Sequence, residues 1–539
     1  MNAQVPIAYV SDENYVALVD VAVEFERDGK CVGVARSSAT GAIYLDLPPG
    51  EYRVTLAKSG FGSKRSNAMI EAGKPFHFRL LSDAMYGYAF PKWNRGGEST
   101  EFRVHSPTTY QLTLWRYGQT KELVRNIGCF DEHGPRANVQ VLPDGDFTRT
   151  RADFNGQGFN ANFSTAAPER SGLYYFHAVT PDGGFLSFPW VVAPAKPQAK
   201  IAVLMSTNTW NAYNNFGGRS NYINPTGLPP TPTVNARQDL DRYARDNTRV
   251  WFPPDDQYPP LSFDRPEPFN HIRIETQLDD PIRGRQACHL AETEWRLLGW
   301  LEREGFDYDV YSDYQLHDGM LDLDAYRVLI LSTHPEYWSR QMYERAKAWT
   351  FERGGRLMYL GGNGIDCEVE FSDAATMRCK TFLPVPAGVA YVDPATNKRY
   401  DCRFHRTVES PAELLGVVFT GTGAGTSAPY RVADASHWIF ADTGLKNGDV
   451  FGAASLHERC PGGASGHETD KRSPASPSNA KPLARGLNID DGGAEIVCFD
   501  TPGGGEIFSA GSITWPASIL VDKHVATITR NVIKCFLRD

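Results

Sequence analysis

The sequence predicts a multidomain chain of mixed class: two N-terminal β-sandwiches followed by a large α/β domain on a parallel sheet. Three observations predict it. Up to about residue 195, apolar residues come in short, partly alternating runs between Gly, Pro and Asn turns. Beyond residue 200 the runs become short and uninterrupted, as in Ile201–Met205 and Val328–Leu331, which marks strands buried on both faces. Stretches with helical spacing separate them, so strand and helix alternate.

Residues 1–85 form the first unit. Val16–Phe25 is an apolar strand candidate, and Asp28-Gly29 supplies a hairpin turn. Ala42–Leu47 and Glu51–Ala57 alternate on either side of Pro48-Pro49-Gly50. A strand, then Leu-Pro-Pro-Gly-Glu-Tyr, then another strand resembles the transthyretin-like, carboxypeptidase-regulatory type of sandwich. Residues 86–199 carry the second, with strand candidates at Glu101–His105, Tyr110–Trp115 and Gly172–Val179, and a linker at Pro194–Lys200. Residues 200–539 are the α/β domain. Leu290–Glu304 places Leu290, Trp295, Leu297, Leu298 and Leu301 at helical spacing before Gly305. Further elements are strands at Tyr308–Tyr311, Arg356–Leu360, Glu495–Phe499 and Glu506–Ser509, and helices at Arg340–Arg353 and Val521–Leu537. Residues 380–490 read as an insertion.

Composition narrows the function classes. The 539 residues carry a net charge of −9, which disfavours a general phosphate-backbone binder. The first residues contain neither a basic nor an apolar signal region, and no run approaches the ~20 apolar residues of a spanning helix. Nine scattered cysteines include no Cys-x-x-Cys pair, so zinc ribbons and a disulfide framework are disfavoured. The expectation is a cytoplasmic protein with reduced thiols, contacting neither nucleic acid nor membrane.

Ligands of an open parallel sheet bind beyond the carboxyl ends of its strands. Four polar and aromatic loops meet that condition: Ser206–Gly218, Ser332–Trp338, Gly361–Gly364 and Ala510–Trp515. They contain no dinucleotide or phosphate fingerprint, no zinc-protease motif and no nucleophile elbow. His334, Glu336 and Asn363 sit on them and suit proton transfer and stabilisation of a tetrahedral intermediate. Glu468, in Gly-His-Glu-Thr-Asp, is a further candidate. Each has a structural reading as well: a backbone-bonded histidine, a helix-start carboxylate, an asparagine in a left-handed turn.

Asn208–Tyr222, Glu294–Glu302, His334–Trp338, Gly354–Gly364 and Gly503–Ser512 together resemble segments of the large (β) subunit of N,N-dimethylformamidase and its relatives. The resemblance covers roughly residues 165–535; the transthyretin-like unit lies outside it. It implies a glutamine-amidotransferase/flavodoxin-like sheet and a mononuclear Fe(III) held by two tyrosinates and a glutamate. Carried over residue by residue, the ligands are Tyr174, in Ser-Gly-Leu-Tyr and preferred to Tyr175; Tyr213, with Tyr222 in reserve; and Glu294, with Glu292 a poorer substitute. Phenolate and carboxylate oxygens suit a hard ion, and a bound metal acts as a Lewis acid on an amide or on water. The implied protein hydrolyses a small N-alkyl or aryl amide, as in xenobiotic degradation, and is a homo-oligomer, with a small partner subunit left open. Two other readings are a non-catalytic scaffold for carbohydrate or protein, and an amidase using Cys367.

Overall fold

The computed structural model describes residues 5–130, 142–149, 164–234, 258–380, 391–392, 399–400 and 403–538. Cys402 and parts of the expected insertion lie outside the described residues.

In the first sandwich, Lys30–Arg36, Ala22–Arg27, Gly50–Lys58 and Gly62–Ile70 form an antiparallel sheet in that order. A smaller sheet runs Ala42–Ile43, Ala8–Ser11, Phe76–Arg79. Asp28 and Gly29 take φ of 53° and 73°, as a two-residue hairpin requires. The strand expected from Val16 begins only at Ala22, because Tyr15 and Asp20 take positive φ and the segment between them turns out of the sheet. Phe25, Val54, Leu56 and Phe78 fill the core.

The second sandwich sets a five-stranded sheet, in the order Lys121–Phe130, Tyr110–Tyr117, Gly172–Val179, Phe185–Ala193, Trp93–Arg95, beside a three-stranded one. Alternation splits the strand Gly172–Val179. Tyr174 and Phe176 enter the core with Leu112, Leu114 and Trp190. Tyr175 joins Tyr117 and Trp295 in the core shared with the α/β unit.

The largest sheet has nine strands. Five run parallel: β1 (Ile201–Met205), β2 (Asp309–Ser312), β3 (Val328–Thr333), β4 (Arg356–Gly361) and β5 (Glu506–Ser509), in the spatial order 2-1-3-4-5. Glu495–Asp500, Pro482–Gly486, Tyr430–Val432 and Val450–Phe451 extend it antiparallel. The uninterrupted apolar runs follow from two covered faces. Ile201, Val203, Val328 and Ile330 pack with Leu297, Leu298 and Val532, whereas Ala202, Leu204, Leu329 and Leu331 pack with Met342, Ala346 and Trp349. Each fully buried aliphatic side chain there contributes about 1.5–3 kcal/mol. The covering helices are α1 (Thr207–Tyr213), α2 (Ala291–Arg303), α3 (Arg340–Glu352) and α4 (Lys523–Phe536). Ser339 caps α3 by accepting from Met342 N, and Asp522 caps α4. Among the described residues no helix is long and apolar enough to cross a membrane.

Candidate functional site

The strand order reverses between β1 and β3, and such a switch point opens a crevice at the carboxyl ends. β1 runs into α1, a short helix rich in Thr and Asn yet buried. Its polar side chains staple it to the β3 loop. Thr209 Oγ1 donates to His334 O at 2.8 Å, and Asn208 Nδ2 donates to Tyr337 O at 3.0 Å. The hydroxyl of Thr209 also accepts from Glu336 N at 3.2 Å. Those bonds offset the cost of burying the Asn208 amide and the Thr209 hydroxyl.

The backbone is strained where the loops meet. Thr333, Asn363, Ile365 and His467 have φ of 56°, 48°, 54° and 67°. Left-handed conformations at β-branched residues cost of order 1–3 kcal/mol and gather at functional sites. At Thr333 the conformation turns the chain sharply out of β3 and is held by Gly362 N–H donating to Thr333 O at 3.1 Å.

His334 is buried, and its Nδ1 lies 2.9 Å from Gly362 O. A carbonyl only accepts, so Nδ1 carries hydrogen. Its Nε2 lies 2.9 Å from Glu336 Oε2, 3.3 Å from the Tyr213 hydroxyl and 3.6 Å from Glu468 Oε2. Burial opposes charge on the ring, but Glu336 and Glu468 outweigh it and raise the pKa to about 9. Burial likewise pushes Glu336 up, while His334 and Arg403 pull it below its ordinary value. Arg403 Nη2 donates to Glu336 Oε1 at 2.8 Å and pairs with Asp366. Glu468 is raised by burial, with His334 opposing and Glu336 reinforcing the shift. Asn363 Nδ2 donates to Glu468 Oε2 at 3.0 Å, and Asn363 N–H donates to Asp470 Oδ1 at 2.8 Å.

Tyrosines surround Glu336. Tyr222 donates to its Oε1 at 2.8 Å, and Tyr337 donates to the Tyr222 hydroxyl at 3.0 Å. The Tyr213 and Tyr222 rings lie 4.3 Å apart. Burial raises the pKa of Tyr213, Tyr222 and Tyr337, and the Glu336 charge adds to it; burial raises Tyr258 as well, with Arg403 opposing. Among the described residues, two buried polar atoms at this cluster lack a hydrogen-bond partner, Asn363 Oδ1 and Nε2 of His289, whose ring packs on Tyr213 at 4.7 Å. Each costs about 1–3 kcal/mol unless water or a ligand meets it.

His334, Glu336, Asn363, Glu468 and Tyr213, all named from the sequence, thus come together, with Tyr222. The other two hydrogen-bond elsewhere. Glu294, on α2, is buried beneath the crevice and accepts from Ser206 N at 2.9 Å and Trp210 Nε1 at 3.0 Å. Burial raises its pKa to about 7 against those bonds. Tyr174 lies in the second sandwich's core, its hydroxyl donating to Arg170 O at 2.6 Å. Tyr175 donates to Asn270 O at 3.2 Å. Arg403, Tyr258 and His289 were missed, because their segments carry no strand-end pattern; Tyr337 lies in the Ser332–Trp338 loop but has no feature that sets it apart from a packing aromatic. Cys367 is buried, which pushes its thiol well up, unlike an activated nucleophile.

A second grouping, Cys288, His457 and His467, lies behind His289 with ligand atoms within 4.8 Å of one another. Each of its histidine rings accepts a hydrogen bond on one nitrogen. Cys460 N–H donates to His457 Nδ1 at 3.1 Å, and Arg459 donates to His467 Nε2 at 2.9 Å. The remaining nitrogens, His457 Nε2 and His467 Nδ1, face each other at 3.2 Å.

Comparison with known proteins identifies relatives of the chain. Residues 134–526 match the family model described as N,N-dimethylformamidase beta subunit-like, C-terminal. The N,N-dimethylformamidase beta subunit of Paracoccus aminophilus is 30% identical over 592 aligned positions, covering 93% of this chain and 74% of that one. That of an Alcaligenes species is 29% identical over 288 positions, 45% of this chain and 36% of the relative. A ThuA-like protein from Bacteroides uniformis covers 46% of this chain and 87% of its own, at 13% identity and a TM-score of 0.27, too low to carry an argument. The chain belongs to the N,N-dimethylformamidase beta subunit-like family.

Proposed function

We propose that the chain is an iron-dependent amide hydrolase of the dimethylformamidase type, cleaving the C–N bond of a small N-alkyl or aryl amide with water. The observation that carries this reading is the Tyr222 phenol on the Glu336 carboxylate, with the Tyr213 ring 4.3 Å from that of Tyr222 and His334 and Glu468 beside them, at the strand switch point. The strand order 2-1-3-4-5 supports the flavodoxin-like, glutamine-amidotransferase-like reading of the domain.

The donor set fits a hard ion. Glu336 and Tyr213 would hold the iron with Tyr222, whose hydroxyl already lies 2.8 Å from Glu336 Oε1; Tyr258 is the reserve. Glu294 is less suited, because its carboxylate is turned to Ser206 N and Trp210 Nε1 rather than to the Tyr213 and Tyr222 phenols. When bound, the iron supplies Lewis acidity toward the amide carbonyl or water.

The remaining residues handle protons. Glu468, its pKa raised by burial, takes a proton from water as general base. The oxygen of that water bonds to the amide carbon. As the C–N bond breaks, Nε2 of protonated His334 delivers its hydrogen to the leaving nitrogen, giving carboxylic acid and amine. The Asn363 amide steers Glu468 and hydrogen-bonds the reacting groups. A small partner subunit, suggested by the relatives' names, is compatible with this scheme. The test is iron content, colour and turnover together. Purified protein should hold about one iron per chain and show a phenolate-to-iron colour that Tyr213→Phe abolishes. A colourless, iron-free and fully active enzyme overturns the metal and leaves His334 and Glu468 as the acid–base pair.

A further inference from the structure

The first sandwich lies outside the matched family segment, which begins at residue 134, yet it touches the segment that carries Tyr222. Gly217 N–H donates to Glu13 O at 2.8 Å, and Arg79 Nη2 donates to Gly217 O at 3.0 Å. Tyr15 donates to Pro229 O at 2.9 Å. Ala17 N–H donates to Thr233 O at 2.7 Å, and Thr233 N–H donates to Tyr15 O at 3.0 Å. These five bonds pin both ends of the chain from Gly217 to Thr233.

Arg79 is the centre of this grip. It is buried, and its guanidinium reaches four carbonyls from three segments: Asp12 at 2.9 Å, and Glu13, Gly145 and Gly217 each at 3.0 Å. Its planar fork satisfies several acceptors in fixed directions, which a lysine cannot copy. Gly217 and Gly218 have φ of 102° and 89°, and a Cβ on Gly218 would overlap Tyr15. The two glycines therefore let the loop lie flat against the sandwich. From that anchor the chain runs directly to Tyr222 and its bond to Glu336.

We propose that the N-terminal sandwich is a built-in positioning domain for the catalytic centre, and that Arg79 is the positioning residue that sets the Tyr222 loop. Its effect on turnover rests on the amide-hydrolase reading; its effect on loop order does not.

The test uses full-length Arg79→Gln, with Arg36→Gln as comparator. Arg36 pairs with Asp20 on the same sandwich, and both are largely exposed. Amide hydrogen exchange is read for peptides spanning 214–233 and, as reference, 328–333. In Arg79→Gln, exchange across 214–233 should quicken about tenfold or more while the β3 peptide stays unchanged. kcat should fall about tenfold or more with KM within about threefold, because misplacement affects the reacting geometry before binding. Unchanged protection in 214–233, or a kcat loss no larger than that of Arg36→Gln, overturns the proposal. Should Arg79→Gln fail to fold, Tyr15→Phe, which removes only the bond to Pro229 and a contact with His77, carries the same two readouts with smaller expected shifts; no shift in either overturns the proposal. If the parent protein hydrolyses no amide, the exchange arm alone decides the loop, and the hydrolase reading fails separately.

Discussion

His334 holds its charge because three oxygens crowd one ring nitrogen while the other is tied to a carbonyl. Burial alone would make it neutral; Glu336 and Glu468 raise it to about 9. A histidine with a raised folded pKa contributes stability that is fully present below its unfolded value near 6.5 and is lost as pH rises through 9. The parent protein should therefore lose stability relative to His334→Gln between about pH 7 and 10 in urea titrations read by circular dichroism. A constant difference across that range would show that His334 is uncharged when folded. Activity should also fall above about pH 9, and Glu336→Gln should move that limb to lower pH. Glu468→Gln should lower kcat by about 10²–10⁴-fold with the fold intact, as loss of a general base does.

The loops at the strand ends do the positioning. Gly362 has no room for a side chain: a Cβ would overlap Glu468 O and lie 2.7 Å from Ile513 N. Gly362→Ala should part the Asn363 and Glu468 loops and cost on the order of 10² in kcat, with far-UV circular dichroism unchanged. Parent-like kcat would mean that the two loops act independently. This is also the scale at which the sequence was most readable. Apolar runs at 201–205 and 328–331 and the glycines after α2 and α3 mark strands and helix ends through local physics alone. The polar loops that follow pointed to His334, Glu336 and Asn363 because a parallel sheet presents its crevice there. The positive φ of Thr333 and Ile365 left no trace, since nothing in a β-branched residue type announces a left-handed turn.

At the scale of the molecule, two sandwiches and a nine-stranded sheet share buried surface, and long-range placement was the least legible property. Tyr174 and Tyr175 differ by one residue, yet alternation sends one into the sandwich core and the other against Trp295. Arg403 reaches Glu336 across 67 residues, and no local pattern encodes such a contact. Glu294 lies close to the site in space, but its carboxylate is committed to Ser206 and Trp210. Glu294→Gln leaves one of those N–H donors facing an amide NH₂, which should cost about 1–3 kcal/mol of stability by urea unfolding while iron binding survives. The most direct measurement of the central claim is therefore iron content and visible charge-transfer absorption of the purified parent protein, Glu336→Gln and Glu294→Gln side by side. The expected result is iron and colour in the parent and in Glu294→Gln, and neither in Glu336→Gln. Iron and colour retained by Glu336→Gln but lost from Glu294→Gln would contradict it.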